Sequence, residues 1–343
     1  MAGLSAAAHA TQRGARVLLL EKGDRCGGSM LLSSGVIWRH RDFDGFRSDC
    51  PGGDPELQRS VLERLDADLG WLEGLGALPV QRGTGNPLTT GARFDTRQLT
   101  EALLRAAGGD VRLREPLDEL PGGAPVVLAT GGFHAARDLL ARHVTPQARE
   151  LMLRAAPWSA GDGLRLGLAS GGTQSAGMDE FYGRNMPAPP ARVEEGDLVR
   201  LAQLYASHAT VRNRAGETYE PRTWSEIDVV QWTARQPGAR AWYEVPDANR
   251  AIRVRDRTVG EMIDAGLAAG APGERRDGAT KIEVVAGITT TLGGLRIDTR
   301  AAVAPGLYAA GADAGGIATG GYASGLAAAL VFGRIAADSA LSR

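Results

Sequence analysis

Short apolar strands that run straight into glycine-rich turns recur along this chain, and they restrict its folding choices more than any other feature. Val17-Leu18-Leu19-Leu20 ends in Glu21 and soon meets Gly27-Gly28-Ser29. Pro125-Val126-Val127-Leu128-Ala129 runs into Thr130-Gly131-Gly132, and Leu307-Tyr308-Ala309-Ala310 enters a turn that carries Gly311, Gly315, Gly316, Gly320 and Gly321. An apolar run without alternation fits a strand covered on both faces, which is how parallel sheets are built. Glycine at the strand end lets the backbone turn left-handed or approach a neighbour closely. Glycine reaches 47 of 343 residues with no Gly-X-Y period, roughly twice average usage. The pattern predicts an α/β fold.

Helical spacing fills the intervals. Gly3 to Arg13 is a small-residue helix that Gly14 can cap. Leu57, Val61, Leu62, Leu65, Leu69 and Leu72 recur at three and four over Pro55 to Leu72, with Asp54 as N-cap. Further helices are predicted over Thr96 to Ala107, Ala135 to Arg142, Leu164 to Ala169 and Ala323 to Ala337. Strand, glycines and helix at both ends predict one Rossmann-like domain, residues 1–180 and 285–343, interrupted by an α+β capping lobe over residues 181–284. Pro187, Pro189 and Pro190 mark the entry, a loop over residues 270–277 the exit, and Trp158, Trp224, Trp232 and Trp242 give this later region an aromatic character.

Charge and cysteine usage exclude several classes. Lys+Arg 39 against Asp+Glu 40 leaves a net charge of -1, which argues against nucleic acid or an anionic membrane as the main partner. Cys26 and Cys50 form no C-x-x-C motif, no export signal opens the chain, and the most apolar run, Gly325 to Phe332, soon meets Arg334. A reduced, cytoplasmic setting without a membrane span is expected. His9, His40, His134, His143 and His208 show neither i,i+4 pairing nor a Cys/His cluster, so no metal site is expected.

The glycine turns suit a long anionic cofactor. In a G-x-G-x-x-G fingerprint the third glycine lets helix and sheet pack closely, and an acid about 20 residues on takes the ribose hydroxyls. Gly3 stands as that third glycine and Glu21 as the acid, while the strand and two glycines that would come before are missing. The sequence is therefore expected to be a truncated gene product whose parallel sheet lacks its first strand.

The strings L-L-L-E-K-G-D-R-C-G-G-S from Leu18, L-A-T-G-G-F from Leu128, G-D-G-L-R-L-G from Gly161, T-L-G-G-L-R-I-D from Thr291, L-Y-A-A-G-A-D-A-G-G from Leu307 and L-V-F-G-R-I-A-A from Leu330 follow one another in order. In this the chain resembles the FAD-binding fumarate reductase/succinate dehydrogenase flavoprotein family, with its soluble ketosteroid and tricarballylate dehydrogenases. The resemblance implies non-covalent FAD, since His40 is not at the family's attachment position. It places Gly3 near the pyrophosphate and Glu21, followed by Lys22, at the adenosine ribose. Gly27, Gly28 and Ser29 would lie at the pyrophosphate and ribityl chain, and Ser34 and Gly35 at the flavin ring. Ala129, Thr130 and Gly131 would lie beside the adenosine half. Ser324, Gly325 and Leu326 would open the final helix toward the flavin's N1/O2 edge. Gly311 belongs to the same turn, where relatives carry an acid at the position of Ala312; Asp313 stands one place later, and the sequence leaves open whether it substitutes. The stretches over residues 109–124 and 260–281 are shorter than in relatives.

The reaction so implied is hydride transfer between flavin N5 and a C–C bond next to a carbonyl or carboxylate of a small organic substrate, with an electron partner the sequence leaves open. Arg184 aligns with an active-site His of fumarate reducers, and Tyr322 with their proton-donating Arg. Thr290 replaces another substrate-binding His, and the transferring arginine aligns near Glu226, with Arg222 close by. Tyr182 adds a second phenol, and the four catalytic candidates are Arg184, Tyr322, Tyr182 and Arg222. These replacements disfavour fumarate as substrate. Two alternatives stay open: a degenerate homologue that binds no FAD and catalyses nothing, and a Rossmann enzyme using NAD alone, which leaves the G-G-S and C-terminal glycine turns unexplained.

Overall fold

The computed structural model describes residues 1–221, 226–276 and 278–342. The chain forms two compact units, the first Met1–Ala136, Ala155–Glu180 and Thr290–Arg343, the second Arg137–Arg154 and Phe181–Thr289. Residues 137–154, which chain continuity places in the first domain, pack with the second unit instead.

In the first unit the alanine-rich helix Ala2–Gln12 ends where Gly14 turns to φ 83 and its N–H bonds Thr11 O at 2.9 Å. Small side chains let this helix pack closely on the final helix, Gly325–Leu341, and on Thr96–Ala107. A Cβ at Gly333 would come within 2.6 Å of Ala2 O, so only glycine fits that crossing. The strand Leu18–Glu21 pairs in parallel with Asp110–Leu113, and Val126–Leu128 pairs in parallel with Leu307–Ala309. Ala302–Ala304 adds an antiparallel edge beyond Leu307–Ala309. The strands 18–21 and 126–128 each have a single partner among the described residues. Leu18 is 51% exposed, although its apolar string reads as buried on both faces: the face to which its side chain points is incompletely covered here. The strand Asp110–Leu113 was not foreseen, being four residues with two charges.

An antiparallel sheet runs in the order Val36–His40, Thr89–Phe94, Pro79–Arg82. The helix Pro55–Gly74 starts as the sequence predicts, with the Asp54 carboxylate accepting from Glu56 and Leu57 N–H, and buries Leu57, Val61, Leu65 and Leu72.

The second unit is organised by the long strand Ala279–Thr291, which pairs antiparallel with Arg240–Pro246 and Gly273–Arg276 and in parallel with Met152–Leu153. Residues 273–276 thus form a hairpin strand, where the sequence suggested a loop over 270–277; Asp277 lies outside the described residues. The core gathers Tyr205, Tyr243, Met262, Ile263, Ile282 and Val284. Among the described residues no helix is long and apolar enough to cross a membrane.

Candidate functional site

The cofactor candidates all fall in the first unit. A Cβ at Gly3 would sit 3.3 Å from Ala129 Cβ, so the opening helix touches the end of the strand Val126–Leu128 there, as a packing glycine should allow. At the end of the neighbouring strand, the Glu21 carboxylate is fixed by the Gly23 N–H, 2.7 Å from Oε1. Lys22 turns away to Asp162, with Nζ 2.7 Å from Oδ2. Gly27 and Gly28 adopt φ 109 and 52, and a Cβ on Gly28 would meet nothing within 4 Å. Ser29 Oγ accepts from Ala156 N–H at 3.1 Å. Ser34 is exposed, whereas Gly35, at φ 70, is tied to Phe94 so closely that a Cβ would overlap Phe94 O at 2.1 Å.

The turn after Leu128 departs from the sequence reading. Its backbone donors do not face outward; they converge on the Asp313 carboxylate, which is 1% exposed. Thr130 N–H donates to Oδ2, Thr130 Oγ–H to Oδ1 at 3.0 Å, Gly132 N–H to Oδ1 at 3.1 Å, and Gly131 N–H donates as well. Burial pushes the carboxyl upward and these donors pull it back, with burial dominant. Thr130 Oγ also accepts from Gly163 N–H at 2.9 Å. Asp313 is therefore an internal anion seated in the nest expected to serve the cofactor, and its carboxylate, like the Thr130 and Gly131 donors, is spent inside the protein. Gly311 is packed between helices, its notional Cβ 3.0 Å from Ala2 Cβ and 3.7 Å from Ala329 Cβ.

At the final helix Ser324 Oγ caps Ala327 N–H at 3.3 Å. The N–H groups of Gly325 and Leu326, in the first turn, have no acceptor within the helix, as at any helix start, with the positive end of a 17-residue helix behind them. Gly325 is exposed, with no atom within 4 Å of a notional Cβ.

The catalytic candidates divide between the units. In the second, Arg184 is 5% exposed on the strand Phe181–Pro187, its guanidinium carbon 4.9 Å from the Tyr182 ring centroid. Glu226 carries the opposite charge toward it: the carboxyl accepts from Ala206 N–H at 2.8 Å and is pushed up by burial against the pull of Arg184 and Arg255. Glu226 and Arg255 both hold left-handed backbone, φ 59 and 60, which costs a side-chain residue energy. Arg222 lies outside the described residues. Tyr322, in the first unit, packs its ring edge-on to Trp38 at 5.4 Å, and its N–H donates to Cys50 sulfur. Thr290 Oγ–H bonds Thr291 O at 3.2 Å. No group of three metal-binding side chains occurs among the described residues.

The profile of a family described as "FAD binding domain" matches residues 89–326, and one described as "NAD(P)-binding Rossmann-like domain" matches residues 1–50. The chain belongs to the FAD-binding fumarate reductase/succinate dehydrogenase flavoprotein family. Within this flavoprotein family, "Fumarate reductase (cytochrome)" of Shewanella frigidimarina is 23% identical over 435 aligned residues, 99% of this chain and 75% of its own length. That alignment is longer than the chain itself, so the relative carries insertions. The structure of the open conformation of a flavocytochrome c3 fumarate reductase superposes with TM-score 0.74 at 20% identity, over 99% of this chain and 76% of that one. The 3-ketosteroid-delta4-(5alpha)-dehydrogenase of Rhodococcus jostii RHA1 gives 0.74 at 18%, over 100% and 95%. At such identities the likeness to these structures is one of fold: a Rossmann-like FAD-binding domain with a capping domain.

The residues present fit the flavoprotein cofactor. Open space stands beside Gly28 and Gly325 where any other residue would place a Cβ. Buried Thr291 Oγ1 has no hydrogen-bond partner among the described residues, although it borders the Gly132 turn, 2.8 Å from that glycine's notional Cβ.

Proposed function

We propose that the protein is an FAD-dependent oxidoreductase that moves a hydride between flavin N5 and a C–C bond adjacent to a carbonyl or carboxylate of a small organic substrate. FAD, when bound, supplies the hydride-accepting and hydride-donating chemistry. Gly3, Gly28, Gly325 and Leu326 bring backbone close to it, and Glu21 takes the ribose hydroxyls. Arg184 offers a fixed cation to the substrate's carbonyl or carboxylate oxygen, where negative charge builds as the adjacent carbon loses a proton or, in the reverse direction, as the next carbon receives hydride. Tyr322 and Tyr182 supply phenols able to move that proton. The observation that carries this reading is Arg184 itself: a nearly buried guanidinium, braced by a tyrosine ring and an oppositely charged Glu226.

The absence of histidine at positions 184 and 290 directs the choice toward a ketone- or enone-bearing substrate, such as a 3-ketosteroid, rather than fumarate. The test is direct. Purified protein should show flavin absorption bands that dithionite bleaches, and a substrate of this class should bleach or restore them. Arg184→Lys should then lower kcat/KM by about 100-fold, since an ammonium cannot reproduce the guanidinium's fork. Colourless protein that takes up no added FAD would instead establish the degenerate reading.

A further inference from the structure

Gln58 sits among Leu57, Val61 and Leu65 on the buried side of the helix Pro55–Gly74 and is 0% exposed, in a place where an apolar side chain is the ordinary occupant. Its amide is fully employed. Nε2 donates to Cys50 O and to Ile317 O, each at 2.9 Å, and Oε1 accepts from Arg47 Nη1 at 2.8 Å. An amide has two donor hydrogens, and here one goes to each of two segments far apart in the sequence. The same two segments are joined on either side of this bridge, Asp54 N–H to Gly316 O at 2.8 Å and Gly52 N–H to Thr319 O at 3.1 Å. They run so close that a Cβ on Gly321 would overlap Asp49 O.

The next residue along this seam is Tyr322, half-buried. Its N–H donates to the sulfur of Cys50, the residue whose carbonyl Gln58 holds. Its ring stands edge-on to Trp38 at 5.4 Å, Trp38 stands edge-on to His40 at 5.3 Å, and His40 stacks on Phe46 at 4.6 Å. Phe46 belongs to the helix Phe43–Asp49, which is capped by Cys50. Backbone and ring of Tyr322 thus both lead back to the segment that Gln58 ties down.

We infer that Gln58 is a positioning residue: its amide clamps the Cys50 segment to the Ile317 segment and so sets where the Tyr322 phenol stands for proton transfer. The inference rests on the proton-moving part proposed for Tyr322 above and adds to it a residue remote in sequence. A leucine at position 58 fills a similar space but leaves Cys50 O and Ile317 O without their donor, so the seam is free to shift, and a misplacement of about 1 Å at a reacting group costs up to ~100-fold in rate.

The experiment measures kcat, KM and FAD dissociation constants of the holoenzyme, with a 3-ketosteroid as substrate and phenazine methosulfate as electron acceptor. The variants are Gln58→Leu, Tyr322→Phe and the two combined. Gln58→Glu, which keeps the shape and the Arg47 contact, is made in both backgrounds as well and carries the comparison if the leucine variant does not fold. Either Gln58 substitution should lower kcat about tenfold, with KM and FAD affinity within about threefold of wild type. In the Tyr322→Phe background the same substitution should cost less than about twofold, because a ring without its hydroxyl has no proton transfer left to lose. Equal losses in both backgrounds would show that Gln58 serves only the fold, and would overturn the inference while leaving the FAD reading intact; so would wild-type kcat in both Gln58 variants. Tyr322→Phe as fast as wild type removes the proton carrier and the inference with it. Wild type that binds no FAD, or leaves the 3-ketosteroid unchanged, removes both readings.

Discussion

Removing the Asp313 carboxylate should weaken the first unit by an amount set by how many buried donors lose their acceptor. Oδ1 accepts from Thr130 Oγ–H and Gly132 N–H, and Oδ2 from Thr130 N–H. In Asp313→Asn the carboxamide oxygen can stand at the Oδ1 position and keep two of these bonds, while the amide NH2 faces the Thr130 N–H. One buried donor orphaned costs ~1–3 kcal/mol, so about 2 kcal/mol is expected. Asp313→Ala strands all of these donors, the Gly131 N–H included, and opens a small void; the losses overlap, and about 4 kcal/mol is expected. Urea denaturation with the slope held constant gives the energies, and amide exchange at Thr130 and Gly132 localises them to this turn. An alanine variant no worse than the asparagine variant, or either within ~0.5 kcal/mol of wild type, would refute the idea that this carboxylate organises the corner.

Gly163→Ala should perturb the same corner from the opposite side, because its Cβ would fall 2.5 Å from Asp313 Oδ1; a loss of about 1–3 kcal/mol is expected in the same assay. His134 gives a pH signature: its folded pKa of about 4 lies below the ordinary 6.5, so the unfolded chain binds the extra proton first. Stability should therefore fall as pH drops from about 6.5 to about 4, by roughly 3 kcal/mol from this group, and His134→Leu should flatten that limb in urea titrations at successive pH values. Glu21→Lys should abolish FAD retention on gel filtration, since a cation cannot accept from ribose hydroxyls; unchanged occupancy would remove Glu21 from the site.

What the sequence made legible is what local chemistry encodes. The cap at Asp54, the stop at Gly14 and the three-and-four spacing of Leu57, Val61 and Leu65 act within a turn or two, and each is found where the pattern puts it. Gly3 was legible too, because a glycine at that point of a strand–turn–helix unit has one steric purpose. The failures are long-range. Asp313 reaches back 183 residues to Thr130, and nothing in G-A-D-A-G-G distinguishes a carboxylate that faces a ligand from one that folds into its own backbone nest. Leu18 reads as buried, yet burial of a strand side chain depends on what packs over its face, which no window of four residues reports. The strands Asp110–Leu113 and Gly273–Arg276 are short, polar and fixed by their partners, so propensity gave no signal. The sequence around His134 carries no sign that its imidazole is buried without a hydrogen-bond partner among the described residues, a feature that exists only in three dimensions.

The half-made ladders of the strands 18–21 and 126–128 have a kinetic consequence. Their backbones pair with a neighbouring strand along one edge only, so local opening costs less than in the long antiparallel strand Ala279–Thr291. Deuterium should enter these amides before those of the strand Ala279–Thr291, and excursions from the native state should begin at this rim of the first unit. Any molecule that bridges this rim will therefore stiffen the least protected part of the protein, and its arrival can be timed by how slowly those amides then exchange.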